Sequence, residues 1–312
     1  MLSRVAERTY WAARYLERIE NTVRLISVYD KLMSDLPTSV GIGWYNLITI
    51  NSAEEAFDER YKVQDERNVI KFLLSEENNP CSVVSNLKFA RENLRTTRDV
   101  VPAQIWVMIN ELNMFVIENL QQGINRSQRF HFLNGVIKSC QQIQGLLMGT
   151  MPRDAVWSFM GLGRNIERAD MTTRLLDAGV RAQLQVMDDA EAINSQQIIW
   201  GQVLRSLDAD QSYRRTVRST VKSQLVARYI IEDKAFPRSI TYCLAAVKGS
   251  LESLPHHKPV VSTVKKIQED RLVAMDYRDL GIPMKDFLND MQLDIAAIHS
   301  SISENWFTNQ QG

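Results

Sequence analysis

The sequence predicts an all-α fold: an internally duplicated helical bundle whose two pseudo-twofold-related halves share one core. Three observations carry this expectation. Apolar residues recur at steps of three and four along most of the chain, as they do on helices with one packing face. No convincing stretch alternates apolar and polar residues as a half-buried strand would. A segment at Arg14–Leu25, Arg-x-x-Glu-Arg-x-Glu-x-Thr-x-Arg-Leu, returns 150 positions later at Arg164–Leu175, with Asp170 in place of the second glutamate.

The elements follow in order. A first long helix is expected from Ser3 to Asp35, stopped by Pro37 and Gly41-Ile42-Gly43, with Leu16, Ile19, Val23 and Ile26 as its packing stripe. Short helices are expected over Trp44–Asn51, Ser52–Arg60 and Glu66–Ser75, before Glu76-Glu77-Asn78-Asn79-Pro80 breaks the pattern. Ser82–Arg98, Pro102–Gln121 and Ser127–Gly149 read as longer helices. Pro152 is expected in the first turn of a helix that runs to Gln185, where a proline is tolerated. Candidates at Ser195–Leu207, Asp210–Glu232, Pro237–Leu254, Val260–Tyr277 and Pro283–Asn305 complete the chain.

The repeat extends beyond its opening motif. Val69–Leu74 before Pro80 matches Val226–Ile231 before Pro237, and Trp44 and Phe57 match Trp200 and Tyr213. The offset grows from 150 to 157, as a few loop insertions would cause. Halves of about 1–150 and 151–312 are therefore expected, within a single domain because no flexible linker divides them.

Composition narrows the function classes. Charged residues make up 24% and apolar residues 45%, with 37 acids balancing 37 bases, so no global field recruits nucleic acid or an anionic membrane. Three scattered cysteines, Cys81, Cys140 and Cys243, form neither a metal spacing nor a disulfide framework and fit a reducing cytoplasm. The N-terminus is charged and amphipathic, unlike a signal peptide. No apolar run approaches the roughly 20 residues of a membrane span. A cytoplasmic protein is expected.

The two Arg/Glu segments are the candidate site. They keep their charges while Ile19 and Val23 become Ala169 and Thr173, the reverse of ordinary drift. At about 100° per residue, Glu17, Glu20 and Arg24 flank the apolar stripe, whereas Arg14, Arg18 and Asn21 point away from it. Pairs are expected within each helix: Glu20 with Arg24, Asp170 with Arg174, Arg14 with Glu17, and Arg164 with Glu167. Three readings stay open. The face is a solvated run of weak pairs, or a buried reciprocal Arg–carboxylate network that fixes how two helices meet. In the third, Arg14, Arg18, Arg164 and Arg168 hold carboxylate or phosphate groups in a site, with Glu17 or Glu167 as acid or base if that site is catalytic. Four carboxylates lie on the two segments, but neither offers the histidine of a di-iron bundle and arginines neutralise them, so no metal is expected. Arg91, Glu92, Arg95 and Arg98 form a further charged stripe, either a solvated face or a contribution to the same polar centre, so Arg91 and Arg95 join Glu20, Arg24, Asp170 and Arg174 as candidate ligand- or partner-binding residues. The histidines form no triad, and no phosphate loop or nucleophile elbow is present, so no cofactor is expected.

The stretch from Met1-Leu2-Ser3-Arg4 to Glu17-Arg18-Ile19-Glu20-Asn21-Thr22 resembles the start of the bacterial Alpha-E domain family, named for its Glu-Arg signatures. Gly163-Arg164-x-x-Glu167-Arg168-Ala169-Asp170 resembles the family's second signature. Ala90-Arg91-Glu92-Asn93-x-Arg95-x-x-Arg98, with Trp106 and Asn110, resembles its middle block. At Val101–Ile105 the sequence departs from the family's usual Ser-x-Glu-like stretch. The resemblance implies an all-helical protein without an established activity. It also implies an association with circularly permuted ATP-grasp proteins and transglutaminase-like cysteine peptidases. That context suggests a helical accessory or scaffold protein of a peptide- or amide-bond-forming or modifying system, which recognises an acidic peptide, a carboxylate-bearing intermediate or its ATP-grasp partner. The alternative it leaves open is an enzyme of amide-bond chemistry.

Overall fold

A computed structural model describes residues 3–35, 43–185, 190–272 and 275–308. Among these, the chain forms 14 α-helices and no strand. They are α1 (Ser3–Asp35), α2 (Asn46–Ile50), α3 (Glu54–Arg60), α4 (Glu66–Ser75), α5 (Val83–Arg95), α6 (Ala103–Ile124), α7 (Arg126–Thr150), α8 (Ala155–Gln185), α9 (Ala190–Ser206), α10 (Asp210–Val217), α11 (Ser223–Glu232), α12 (Ile240–Glu252), α13 (Lys258–Leu272) and α14 (Ile282–Ile302). A π-helical turn at Ser303–Phe307 follows. No helix among the described residues is long and apolar enough to cross a membrane.

The helices fall into two compact units. Of the described residues, the first holds 3–30, 44–167 and 306–308; the second holds 31–35, 43, 168–185, 190–272 and 275–305. In the first unit α6 and α7 form an antiparallel hairpin in which Phe115 stacks on Phe132 at 5.9 Å. Gly135 makes this possible, because a Cβ there would lie 2.4 Å from the Phe115 ring. Helix α1 contains no glycine or proline to break it. It is buried on nearly every side: Tyr10, Leu16, Ile19, Val23 and Ile26 are enclosed, and so are Thr9, Arg14, Glu17, Glu20, Asn21 and Thr22. In the second unit Trp200 of α9 is fully buried, and its indole N–H donates to Gln183 Oε1 at 2.6 Å.

Local features recur between the units. Helices α4 and α11 each have 10 residues, and α5 and α12 each have 13. Ser82 and Ser239 cap α5 and α12, their hydroxyls accepting from the N–H of Ser85 and Tyr242. Ser52 and Asp208 are both left-handed, at φ 49° and 57°.

Several boundaries differ from expectation. Asp210–Glu232 is not one helix: Arg218 takes the left-handed conformation at φ 52° and separates α10 from α11. Neither glycine nor proline marks that break. Pro152 precedes α8 rather than joining its first turn; Asp154 accepts the Trp157 N–H at 3.1 Å as the cap instead. Gly149 and Thr150 belong to α7. The proposed stop at Pro37 and Gly41 lies outside the described residues, as does the stretch immediately after Leu272.

Candidate functional site: a buried Arg–Glu clasp

Glu167, from the second Arg/Glu segment, is the centre of the clasp. Its carboxylate accepts from Arg14 Nε at 2.8 Å, from Arg18 Nε at 2.6 Å and from Arg18 Nη2 at 2.9 Å. Arg18 thus grips it with two parallel bonds, the geometry that suits a guanidinium best. Arg14 also donates to the Tyr10 hydroxyl at 3.4 Å and lies over Trp11, 4.9 Å from the ring centre. The side chains of Glu167, Arg14 and Arg18 are 3%, 11% and 19% exposed.

Helix geometry places these groups together. Gly163, one turn before Glu167, faces the backbone of α1: a Cβ there would stand 2.2 Å from the Tyr10 carbonyl oxygen. A glycine is therefore required for the two helices to approach closely enough for the Arg14 and Arg18 side chains to reach the carboxylate.

Burial alone would raise the Glu167 carboxyl, but the charges of Arg18 and Arg14 outweigh it and hold the group down at about 2. Burial likewise opposes the Arg14 charge, and Glu167 overcomes it, so Arg14 titrates above its ordinary range. Burial pushes Tyr10 up to about 12. All three groups keep one protonation state around neutrality.

A second polar cluster lies further along α1. Gln144 of α7 donates to Glu20 Oε2 at 2.9 Å and to Glu17 Oε2 at 3.4 Å, while Arg24 Nη2 donates to Glu20 Oε1 at 2.7 Å. Burial, with the nearby Glu20 and Glu17 charges, raises the thiol of Cys140 well above its ordinary value. In the second unit Arg174 Nε pairs with Asp170 Oδ2 at 2.8 Å.

The expected pairs Glu20–Arg24 and Asp170–Arg174 are present. Arg14–Glu17 and Arg164–Glu167 are not, because Glu167 takes both of its arginines from α1. Arg14 and Arg18 were expected to face away from the packing stripe, but they are turned into the protein because α1 is covered on that side too. Arg164 lies 5.5 Å from the Trp157 ring centre, and both Arg164 and Arg168 are half-buried. Arg91 donates twice to Asn110 Oδ1, whereas Arg95 pairs with Glu92 on the exposed surface. Among the described residues, no group of three or more metal-ligating side chains converges.

Sequence reasoning missed Arg129, which is 1% exposed. Its guanidinium meets Asp30 at 2.6 Å and Glu66 at 2.7 Å, and donates to the carbonyls of Gly123 and Ile124. It thereby ties α1, α4 and the α6–α7 turn together. The turn residues just before it were the available signal, since a helix-start arginine can reach back to the orphan carbonyls of the preceding helix.

An all-helical domain organised around buried Glu-Arg signatures is the class that the fold and site define. The chain belongs to the Alpha-E family, described as a predicted alpha-helical domain with a conserved ER motif, whose profile matches residues 1–307. It is also similar to uncharacterized proteins of Mycobacterium bovis and Mycobacterium tuberculosis, each 22% identical over 280 residues. That alignment covers 81% of this chain and 30% of each relative, so the chain spans about a third of the length of these relatives. No solved structure matches it.

Proposed function

We propose that this chain is a helical accessory protein of a peptide- or amide-bond-forming system, and that its Glu-Arg signatures are an internal clasp rather than a reaction centre. One observation carries the clasp reading: Glu167 is buried, held down at about 2 and shared by two arginines, so around neutrality it lacks the proton of a general acid and is too weakly basic to serve as a general base. The family resemblance supplies the partners, a circularly permuted ATP-grasp protein and a transglutaminase-like peptidase. The surface best suited to such a partner is on α5 and the start of α6. There Phe89 is 43% exposed, Arg95 is exposed, and Arg98 lies 4.7 Å from the centre of the Trp106 ring. Exposed aromatic and arginine side chains together are the usual anchors of protein interfaces.

Internal duplication is part of the same proposal. The paired helix lengths, the serine caps 157 positions apart and the left-handed residues 156 apart support it. So do the T-shaped pairs Phe57–Phe72 and Tyr213–Tyr229, at 5.2 and 5.6 Å.

The test is reconstitution with the ATP-grasp protein, candidate peptides and ATP, each omitted in turn. Reversing Arg95 and Arg98 to glutamate is expected to weaken partner binding about tenfold or more with melting unchanged, whereas Arg18→Ala lowers the melting temperature. If Glu167→Gln folds normally yet abolishes product formation while the charge reversals do nothing, the clasp is a reaction centre and the proposal fails.

A further inference from the structure

The second unit opens a groove of about 550 Å³ beside the end of α10, a size typical of small-ligand sites. Val217, Leu225 and Tyr229 supply its apolar lining, and Arg228 and Lys234 its cations. In the first unit the matching place is filled. There Phe57 and Phe72 make a T-shaped contact at 5.2 Å and 82°, much as Tyr213 and Tyr229 do at 5.6 Å and 78°. Tyr61, the residue after α3, lays its ring on Phe57 at 5.2 Å and against Phe72 at 6.3 Å, and its hydroxyl bonds Glu76. At the offset of 156 that relates Phe57 to Tyr213, Tyr61 falls on Val217, whose smaller side chain leaves the slot open, and Arg218, Ser219 and Thr220 follow it without a ring. Arg218 instead holds a left-handed conformation, which costs about 1 kcal/mol for a residue other than glycine.

The groove lining carries two cations, Arg228 and Lys234, and two acids, Glu232 and Asp233, and among the described residues Lys234 is the cation left outside an ion pair. Glu232 accepts from Arg228 Nε at 2.9 Å, and Asp233 Oδ1 accepts the N–H groups of Ala235 and Phe236. Both acids are therefore engaged. Lys234 is exposed and no acid pairs with it among the described residues; the residue after Glu76 in the first unit is Glu77, of opposite charge.

We propose that this groove binds a ligand presenting an aromatic ring together with a carboxylate. The ring lies along Val217, Leu225 and Tyr229, in the place that Tyr61 takes in the first unit, and the carboxylate meets Lys234 and the outer edge of Arg228. A free aromatic acid and the C-terminal aromatic residue of a peptide share this chemistry. The site is separate from the Arg–Glu clasp; the inference rests on the internal duplication proposed above and not on how the clasp is read.

The test is a titration of the full chain with N-acetylphenylalanine, its carboxamide and the tripeptide Gly-Gly-Phe, followed by calorimetry and by the NMR shifts of the Leu225 methyl groups. The acid should bind at millimolar concentration and shift those methyls, and the carboxamide should bind about tenfold more weakly or worse. Lys234→Glu, at an exposed position, should weaken the acid by about the same factor, and Leu225→Trp should abolish binding by occupying the wall. Leu225→Gln replaces the tryptophan variant if its bulk disturbs folding. Tighter binding of Gly-Gly-Phe than of N-acetylphenylalanine identifies a peptide end; the reverse order identifies a free acid. Absence of a methyl shift, equal binding of acid and carboxamide, or an unaffected Lys234→Glu variant would overturn the assignment.

Discussion

Arg24 and Arg174 occupy the same position in the two Arg/Glu segments and make the same bond in different surroundings. Each pairs with the acid four residues earlier, at 2.7 and 2.8 Å, but the Glu20 side chain is 3% exposed and that of Asp170 is 20%. Arg14 and Arg164 both lie near a tryptophan ring, Trp11 at 4.9 Å and Trp157 at 5.5 Å, and Arg14 is in addition committed to Glu167 at 2.8 Å. Sequence spacing thus fixes the local pair, while burial decides what the pair is worth. A screened surface pair contributes little, and a desolvated one is costly to break.

The largest expected effect tests the buried end of this contrast. Glu167→Ala leaves Arg14 and Arg18 cationic without their shared anion and should cost about 3–5 kcal/mol in urea unfolding. A cost below about 1 kcal/mol would mean that water reaches the clasp. The same carboxylate sets a pH dependence. Its folded value, about 2, is depressed from 4.5, so its contribution is complete above 4.5 and is lost as pH falls toward 2. Glu167→Gln should remove that part of the acid-unfolding profile. Next, Glu20→Gln should cost about 1–3 kcal/mol, because a buried charge-assisted bond is weakened. Asp170→Asn should cost only about 0.2–1 kcal/mol, and equal costs at the two positions would erase the distinction drawn here. Smallest of all, Glu92→Gln on the exposed face of α5 should leave the melting temperature unchanged.

Helix α4 has the ends that the sequence predicts, because its cap and its stop are local. Asp65 caps α4 through the Asn68 N–H, and the polar run after Ser75 ends it. The α10–α11 break was illegible because Arg218 gives no local sign that it will turn left-handed. The clasp was legible as residues but not as partners. A helical wheel ranks positions against one apolar stripe, and it cannot show that α1 is covered on its polar side as well. Pairing across 153 positions, as Arg14 and Glu167 do, is set by the packing of α1 against α8 at Gly163. Arg129 shows the same limit: its partners come from three separate parts of the chain.

Cys140, enclosed beside Glu17 and Glu20, gives the protein a built-in reporter of its own opening. A thiol there reacts only as thiolate and only when a reagent can reach it, and burial together with two neighbouring carboxylates denies it both. Its alkylation rate in native buffer therefore measures how often α7 parts from α1. Half-exposed Cys81 serves as an internal clock for the reagent itself.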